Sequence, residues 1–248
     1  MLQIIIYLVV IALVAAGFSY IMVKSFPLKA KLILNGVLLI LALFLGYKIY
    51  NSIYDPVKFN KEKVVRYKKV VEKLKDIQKA EIAHKAVIGK YAGSFENLVK
   101  FIDTAQFVIT QQRDSSYQEF DKNLKIDITK EVVVIDTLGF VPVKDSLFKN
   151  SDRYKDLKWV PVPGKEKQVA FEIEANDLVK SNVKIPVFRV RVDKKEVLYD
   201  QQPDLITLEK QIRSTKEING EYIQIGSLDE VNDSGNWPKL YDIGDEKK

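Results

Sequence analysis

The first fifty residues contain two long stretches without a charged side chain, and these restrict the fold more than any other feature of the chain. Leu2–Val23 is uncharged over its whole length. At about 1.5 Å rise per residue a helix of this length reaches ~33 Å, which crosses the hydrocarbon core of a bilayer. The second stretch, Leu32–Tyr47, is bracketed by Lys31 and Lys48. Their long side chains can reach the headgroups at its two ends.

The segment "KSFPLKAK" joins these stretches, and Pro27 within it favours a break between two helices. We therefore predict that residues 1–50 form a transmembrane helical hairpin. A cleaved signal peptide is the alternative interpretation of the first stretch, because "VAAG" resembles a cleavage site. The stretch lacks a basic start, and it is longer than the ~7–15 residues of a signal core, so we favour a retained helix.

The charges around the hairpin predict its orientation. The connector carries Lys24, Lys29 and Lys31 and no acidic residue, which by the positive-inside rule places it in the cytoplasm. The chain would then be a multi-pass protein of the inner, cytoplasmic membrane with its soluble part in the periplasm. Basic residues after the second helix favour the opposite orientation. Candidate contacts to lipid headgroups are the lysines near the predicted membrane boundaries: Lys24, Lys29, Lys31, Lys48, Lys58 and Lys61.

Residues 51–104 form the second predicted region, a juxtamembrane helix and a helical corner. We expect a break at Asp55-Pro56, because a residue before proline avoids helical geometry, and then a helix over residues 56–88. Gly89 is suited to end that helix, and Ser94 to cap a second short one. Apolar side chains recur at helical spacing in the first helix: Val64, Tyr67, Val70, Val71, Leu74, Ile77, Ala80, Ala83, His84, Val87 and Ile88.

Residues 105–228 change in character to short, β-branched or alternating segments, which predict a mostly antiparallel sheet. Glu172 and Glu174 could face Arg189 and Arg191 across two paired strands. We also expect a helix over residues 204–214 with Leu205, Leu208 and Ile212 inward, loops at residues 112–125 and 144–156, and a loosely held tail over residues 229–248. The predicted strands are 106–111, 131–136, 139–143, 169–175, 186–192, 196–199 and 221–228. The predicted fold class is thus α+β: a transmembrane hairpin, a long juxtamembrane helix and a β-rich domain.

The sequence contains no recognisable catalytic motif and no cysteine, which excludes disulfides, thiolate metal sites and cysteine nucleophiles. His84 is its only histidine, and only Glu81 lies one helical turn away with a side chain that could join it as a metal ligand. Because two ligands are too few for a site, we interpret His84 as a structural residue. The segment "DEVNDSGNW" resembles a calcium loop but lacks the EF-hand spacing. We predict no catalytic, cofactor or metal site, and interpret this segment as a turn.

Two segments, "DPVKFNKEKVVRYKKVVEKLKDIQKAEIAHKAVIGKYAGSFENLVKFIDTAQF" and "VVVIDTLGFVPVKDSLF", resemble a set of uncharacterised bacterial membrane-anchored proteins. That resemblance implies no activity. The segment "DIQKAEIAHKAVIGKYAGSFENL" is also similar to the end of the long helix in type IV pilins and type II secretion pseudopilins. This second resemblance implies a small antiparallel sheet after the helix, although the chain has two predicted membrane helices and no prepilin cleavage motif.

These features together predict a non-enzymatic, membrane-anchored envelope protein that acts as a subunit or scaffold of a larger assembly for secretion, surface motility or filaments. Its expected partners are lipids and other membrane or envelope proteins. The net charge of +6 comes mainly from lysine, and so nucleic acid is not an expected partner. Two alternatives stay open: an envelope enzyme with an unrecognised acidic site, and a cytoplasmic-facing regulator that binds anionic lipid or nucleic acid through Lys58–Lys79.

Overall fold

The computed structural model describes residues 17, 19–20, 27–121, 126–149 and 151–242. Most of the first predicted transmembrane helix and Lys24 of the connector lie outside these residues, so the structure does not show the predicted helical hairpin. The chain divides into two compact units, Met1–Lys58 and Phe59–Lys248. The described part combines helices with antiparallel sheets, in agreement with the α+β prediction.

Helix α1, Leu28–Ile88, begins directly after Pro27 and continues through Pro56. The predicted break at Asp55-Pro56 is therefore wrong. A proline inside a helix removes one hydrogen bond, here to the carbonyl of Ser52, and costs about 3 kcal/mol. Ser52 is exposed, so that its carbonyl can be hydrated, and the uninterrupted helical sequence on both sides offsets the cost. Predicted separate helices over residues 32–50 and 56–88 are thus one element.

Within the second unit, the predicted apolar stripe of α1 forms the centre of the core. Tyr67, Val70, Val71, Leu74 and Ile77 are fully buried, followed by Ala80 and Ala83. The stripe ends earlier than predicted, because Val87 and Ile88 are exposed. Gly89 stops the helix in the left-handed conformation (φ 86°), and its N–H donates to the carbonyl of Lys85 at 2.8 Å.

Helix α2, Phe95–Thr104, begins at the predicted cap, where the Ser94 side chain accepts a hydrogen bond from the N–H of Asn97. Its apolar face (Phe95, Leu98, Phe101 and Ile102) is buried in the same core as α1. This element of the predicted corner is confirmed.

Strands β1, Gln106–Asp121, and β2, Ile126–Pro142, pair antiparallel as a separate two-stranded sheet. The loop predicted at residues 112–125 is wrong for residues 112–121, whose polar sequence is drawn into β1 by pairing with the valine-rich β2. The loop predicted at residues 144–156 contains helix α3, Val143–Phe148, and a 3-10 helix, Asp152–Asp156.

The second sheet has the order β3-β4-β5, formed by Glu172–Lys180, Val183–Asp193 and Tyr222–Gly226. Its inner face packs on the core through Phe188, Val190, Val192, Ile223 and Ile225. The outer face carries the predicted charge ladder, which is confirmed. Arg191 pairs with Glu172 at 2.7 Å and Arg189 with Glu174 at 3.0 Å.

The strand predicted at residues 196–199 is wrong, because Lys194–Val197 forms the short helix α4. Asp193 caps it by accepting a hydrogen bond from the N–H of Lys195 at 2.8 Å. Helix α5, Pro203–Lys210, is shorter than predicted and buries Ile206, whereas Leu208 is exposed. In the tail, a last 3-10 helix covers Lys239–Tyr241, and the Trp237 side chain donates to Asp242 at 3.0 Å.

Candidate functional site

The part of α1 that belongs to the first unit is apolar and exposed, which makes it a candidate membrane segment. Among the described residues, α1 is the one helix long and apolar enough to span a membrane. Exposed Leu, Ile, Val and Phe side chains surround the helix between positions 32 and 45 on all sides. Such a helix is stable in lipid, since its backbone hydrogen bonds are satisfied internally and its side chains need no water.

The lysines predicted to contact headgroups flank this apolar segment. Lys29 and Lys48 are exposed, and Lys48 follows Lys29 by 19 positions of helix, ~28 Å along the axis. This span matches the ~30 Å hydrocarbon core. Lys31 lies in the helix between them. Lys48 also lies 5.8 Å from the centre of the Phe44 ring.

Lys58 and Lys61, the other two predicted headgroup contacts, are exposed as well. Lys58 follows Lys48 by ten residues, or ~15 Å of helix. If Lys48 marks the edge of the hydrocarbon, Lys58 lies beyond the headgroup layer, which is ~6 Å thick on each side. The charge of Lys58 then acts on an anionic surface through a screened field, not through direct contact.

The basic stretch Lys58–Lys79 is less available to ligands than the sequence indicates. Lys63 and Arg66 are buried in ion pairs, and Lys75 pairs with Asp242 at 2.9 Å. The exposed basic residues that remain are Lys58, Lys61, Lys69 and Lys79. The regulator alternative would depend on these four and on the half-buried Lys68 and Lys73.

A buried ion cluster connects α1 to α5, to the segment after α5 and to the start of α4 in the second unit. Lys63 of α1 lies 3.0 Å from Glu209 and 3.1 Å from Glu217. Lys194, which is fully buried, lies 3.2 Å from Glu209 and donates to the carbonyls of Glu209 and Ile218. The Lys194 ammonium thus has an acceptor for each of its three protons, which is the condition under which a buried charge is tolerated.

Two tyrosines complete this cluster. The hydroxyl of Tyr67 donates to Glu209 at 3.4 Å, and that of Tyr241 donates to Glu217 at 3.1 Å. Burial raises the pKa of both tyrosines, so both stay protonated donors. Burial lowers the pKa of Lys194, and the neighbouring Glu209 opposes that effect.

A buried lysine beside a carboxylate and a tyrosine is also a pattern found in active sites. Here the side chains of Lys63, Glu209 and Lys194 are at most 3% exposed. A substrate has no access to them in this conformation, and the cluster is best explained as structural. The sequence analysis did not predict this ion cluster. The available signal was that Lys63, Glu81 and His84 continue the spacing of the apolar stripe, because a charged residue at such a core position needs a buried partner.

A second ion pair joins α1 to the segment after α4. The Arg66 guanidinium donates to both carboxylate oxygens of Asp200, at 2.5 and 2.8 Å, and to the carbonyl of Val197 at 3.0 Å. Hydrogen bonding from Arg66 lowers the pKa of Asp200 to about 2. This planar, bidentate geometry favours arginine over lysine.

His84 is held by two local contacts near the end of α1, and its interpretation as a structural residue stays a prediction. Its Nδ1 donates to the carbonyl of Lys90 at 2.6 Å, and its ring packs edge-on against Phe101 at 4.8 Å. It lines a cleft of about 470 Å³ together with Tyr91, Asn97 and Asp177, among others. In the described ranges, no group of three or more His, Cys, Asp or Glu side chains could hold a metal ion.

In the segment that resembles a calcium loop, side-chain oxygens accept hydrogen bonds from nearby backbone N–H groups. The Asn232 side chain accepts from the N–H of Ser234, and the Ser227 hydroxyl accepts from the N–H groups of Asp229 and Glu230. The carbonyl of Asp233 accepts from the side chain of Gln78 in α1. The segment is therefore a turn docked on the core helix.

Comparison with known proteins returns no match among protein-family models, curated proteins or solved structures. The resemblances to bacterial membrane-anchored proteins and to pilins accordingly stay predictions.

Glu81 is the buried acid with a testable consequence for stability. It is fully buried in α1, where one carboxylate oxygen accepts from the N–H of Ala92 at 2.8 Å, and the other has no hydrogen-bond partner among the described residues. Burial raises its pKa to about 8, against a smaller opposing effect of the Ala92 N–H. Glu81 is therefore protonated in the folded protein at neutral pH.

Because the folded pKa lies above the unfolded value of 4.5, the folded state loses stability as the pH rises from about 4.5 to above 8. At 1.36 kcal/mol per pH unit the loss amounts to roughly 4–5 kcal/mol. Glu81→Gln keeps an acceptor for Ala92 and should remove this loss. Thermal unfolding of the full chain in detergent, measured between pH 4.5 and 9, checks this prediction.

Glu72→Gln, at an exposed position of the same helix, is the matched control and should follow the wild-type profile. If Glu81→Gln loses stability with pH in parallel with the wild type, burial of Glu81 is not what the profile reports.

Proposed function

We propose that this chain is a non-enzymatic, membrane-anchored envelope protein that serves as a subunit or scaffold of a larger assembly, for secretion, surface motility or filament formation. The membrane part of the proposal is supported by the exposed apolar segment of α1. The assembly part is supported by the β1–β2 hairpin, which is the single observation that carries it.

This hairpin presents apolar side chains and free edges to solvent. Val108 and Phe140 face each other across the two strands and are 53% and 62% exposed. Ile135 and Leu138 are also exposed. In the part of the chain that the structure describes, no further strand pairs with either edge of this sheet. A two-stranded sheet is marginally stable alone, so a hairpin of this length is a natural acceptor for another protein. Exposed sheet edges of this kind are a recurring mode of protein recognition.

The charged groups support a structural role better than a catalytic one. The most deeply buried ion pairs, around Glu209, lie between core elements and away from solvent. Their contacts fix α1 against α5 and the start of α4. A firmly packed second unit is what a scaffold requires.

The assembly is tested by affinity purification of the tagged full chain in mild detergent with mass spectrometry of the recovered proteins. We expect specific envelope partners, and a loss of at least fivefold with Val108→Ser/Phe140→Ser. The matched control is Val179→Ser/Val183→Ser, which changes two similarly exposed valines on β3 and β4. Both variants should unfold at the wild-type temperature, because all four positions are exposed.

Recovery of the protein without partners would contradict the proposal. Equal partner recovery from the two variants would contradict the role of the hairpin.

For localisation, we propose an inner-membrane protein in which the stretch Leu2–Val23 forms a further span and the second unit lies in the periplasm. The basic connector of residues 24–31 supports this orientation.

Ser146 of α3 is exposed, and the chain has no natural cysteine, so Ser146→Cys reports on one position alone. We expect a membrane-impermeant maleimide to label it in cells with a permeabilised outer membrane. Labelling only after lysis of the inner membrane would place the second unit in the cytoplasm.

A further inference from the structure

Strand β2 carries a nearly palindromic sequence at its free edge. The segment "TKEVVVIDT", residues 129–137, is centred on Val133. Read outward from that residue, valine stands on both sides, then Glu131 and Ile135, then Lys130 and Asp136, and finally a threonine at each end. A sequence of this kind is complementary to itself when it is read in the opposite direction.

Antiparallel pairing of two such strands would bring favourable pairs together. With Val133 opposite Val133 of the second copy, each Lys130 faces Asp136 of the second copy and each Thr129 faces Thr137 of the second copy. Opposite charges and threonine pairs across strands each contribute roughly 0.2–1 kcal/mol. The register also leaves no pair of like charges directly opposed.

The geometry of the hairpin makes this edge available. Residues 126–137 of β2 pair with β1 in regular register, and the irregularity lies beyond them, opposite Ile109 and Thr110. The Lys130 and Asp136 side chains are half exposed, and Val133 is 57% exposed. The centre of β1, "RDSSYQ", is polar and lacks such self-complementarity.

We propose that β2 pairs antiparallel with β2 of a second copy about a two-fold axis through Val133, so that two hairpins form one four-stranded sheet. The partner is thus a second copy of this chain. The inference rests on the proposed function in one respect, because anchoring in the same bilayer raises the effective concentration of the two hairpins. A twofold contact of this kind is self-limiting, and sheets of three or more strands are more stable than a single hairpin.

Disulfide trapping tests the register. Directly opposed residues in antiparallel strands have Cα atoms ~4.5–5.5 Å apart, within disulfide range. Val133→Cys in the full chain, oxidised in native membranes, should give a covalent dimer. Because the natural chain has no cysteine, a disulfide between two copies can join them only at position 133, and the dimer is identified by twice the mass of the chain. Ser115→Cys on β1 is the control, since three strand spacings, ~14 Å, would separate the two cysteines.

A charge swap separates pairing between copies from pairing within the hairpin. Lys130→Asp in the Val133→Cys background would set two carboxylates against each other between copies, and we expect the dimer yield to fall at least threefold. Lys130→Asp/Asp136→Lys restores opposite charges between copies and should restore the yield.

Within one copy, Lys130→Asp/Asp136→Lys replaces favourable ion pairs with repulsive ones. Lys130 pairs with Glu119 at 2.6 Å and Asp136 with Arg113 at 2.9 Å, so the double variant creates two repulsive pairs. If only contacts inside the hairpin matter, the double variant should be worse than the single one. That result, or an equal yield of dimer from positions 133 and 115, overturns the proposal.

The outcome is separable from that of the proposed function, whose test changes Val108 and Phe140 outside the palindrome. Recovery of envelope partners without a trapped dimer would support the scaffold function and contradict self-association through β2. A trapped dimer without further partners would support self-association and contradict the scaffold function.

Discussion

The exposed apolar surface between positions 32 and 54 of α1 is the constraint on which the account of this protein depends. Leucine, isoleucine, valine and phenylalanine supply eleven of the sixteen residues from Leu32 to Tyr47. At roughly −0.3 to −0.6 kcal/mol each, their transfer into the centre of a bilayer is favourable by roughly 3–7 kcal/mol. In water the same surface would drive aggregation. The helix is therefore suited to lipid, and the lysines at its two ends are suited to the boundaries.

The same helix serves a second environment after Lys58. There its side chains enter the protein core, and its charged residues are held by specific partners. The contacts of Lys63 with Glu209 and of Arg66 with Asp200 fix the rotation of the helix against α5 and the segment after α4. Removing one member of a buried pair leaves an uncompensated charge at a cost of about 3–5 kcal/mol. Apolar packing provides most of the stability of the helix in the core, and the ion pairs determine its orientation there.

Much of the second unit could be predicted from local patterns. The apolar stripe of α1 as far as Ala83, the Ser94 cap and the Gly89 stop each depend on a few neighbouring residues, and the structure confirms them. The charge ladder on β3 and β4 followed from the alternation of two strands. Contacts distant in sequence were not predictable in this way. Residues 112–121 are polar and became a strand because β2 pairs with them, and Lys63 and Lys194 became core residues because Glu209 lies between them.

Predictions from a few neighbouring residues were also wrong where the surrounding element or its packing determined the structure. The Asp55-Pro56 pair predicts a break, but the helix on each side is long enough to tolerate one missing hydrogen bond. The segment at residues 196–199 has strand-forming residues, yet the Asp193 cap and the burial of Val197 and Leu198 favour a helical turn. Which apolar side chains of the β1–β2 hairpin stay exposed depends on what packs against them, and the local sequence does not specify that.

Extraction of membranes with alkaline carbonate tests most directly whether α1 is held in lipid, since this treatment releases proteins that are only adsorbed to the surface. We expect the full chain to stay in the membrane pellet together with an integral marker protein. Recovery of the full chain in the supernatant, together with a peripheral marker, would show that α1 is not held in lipid.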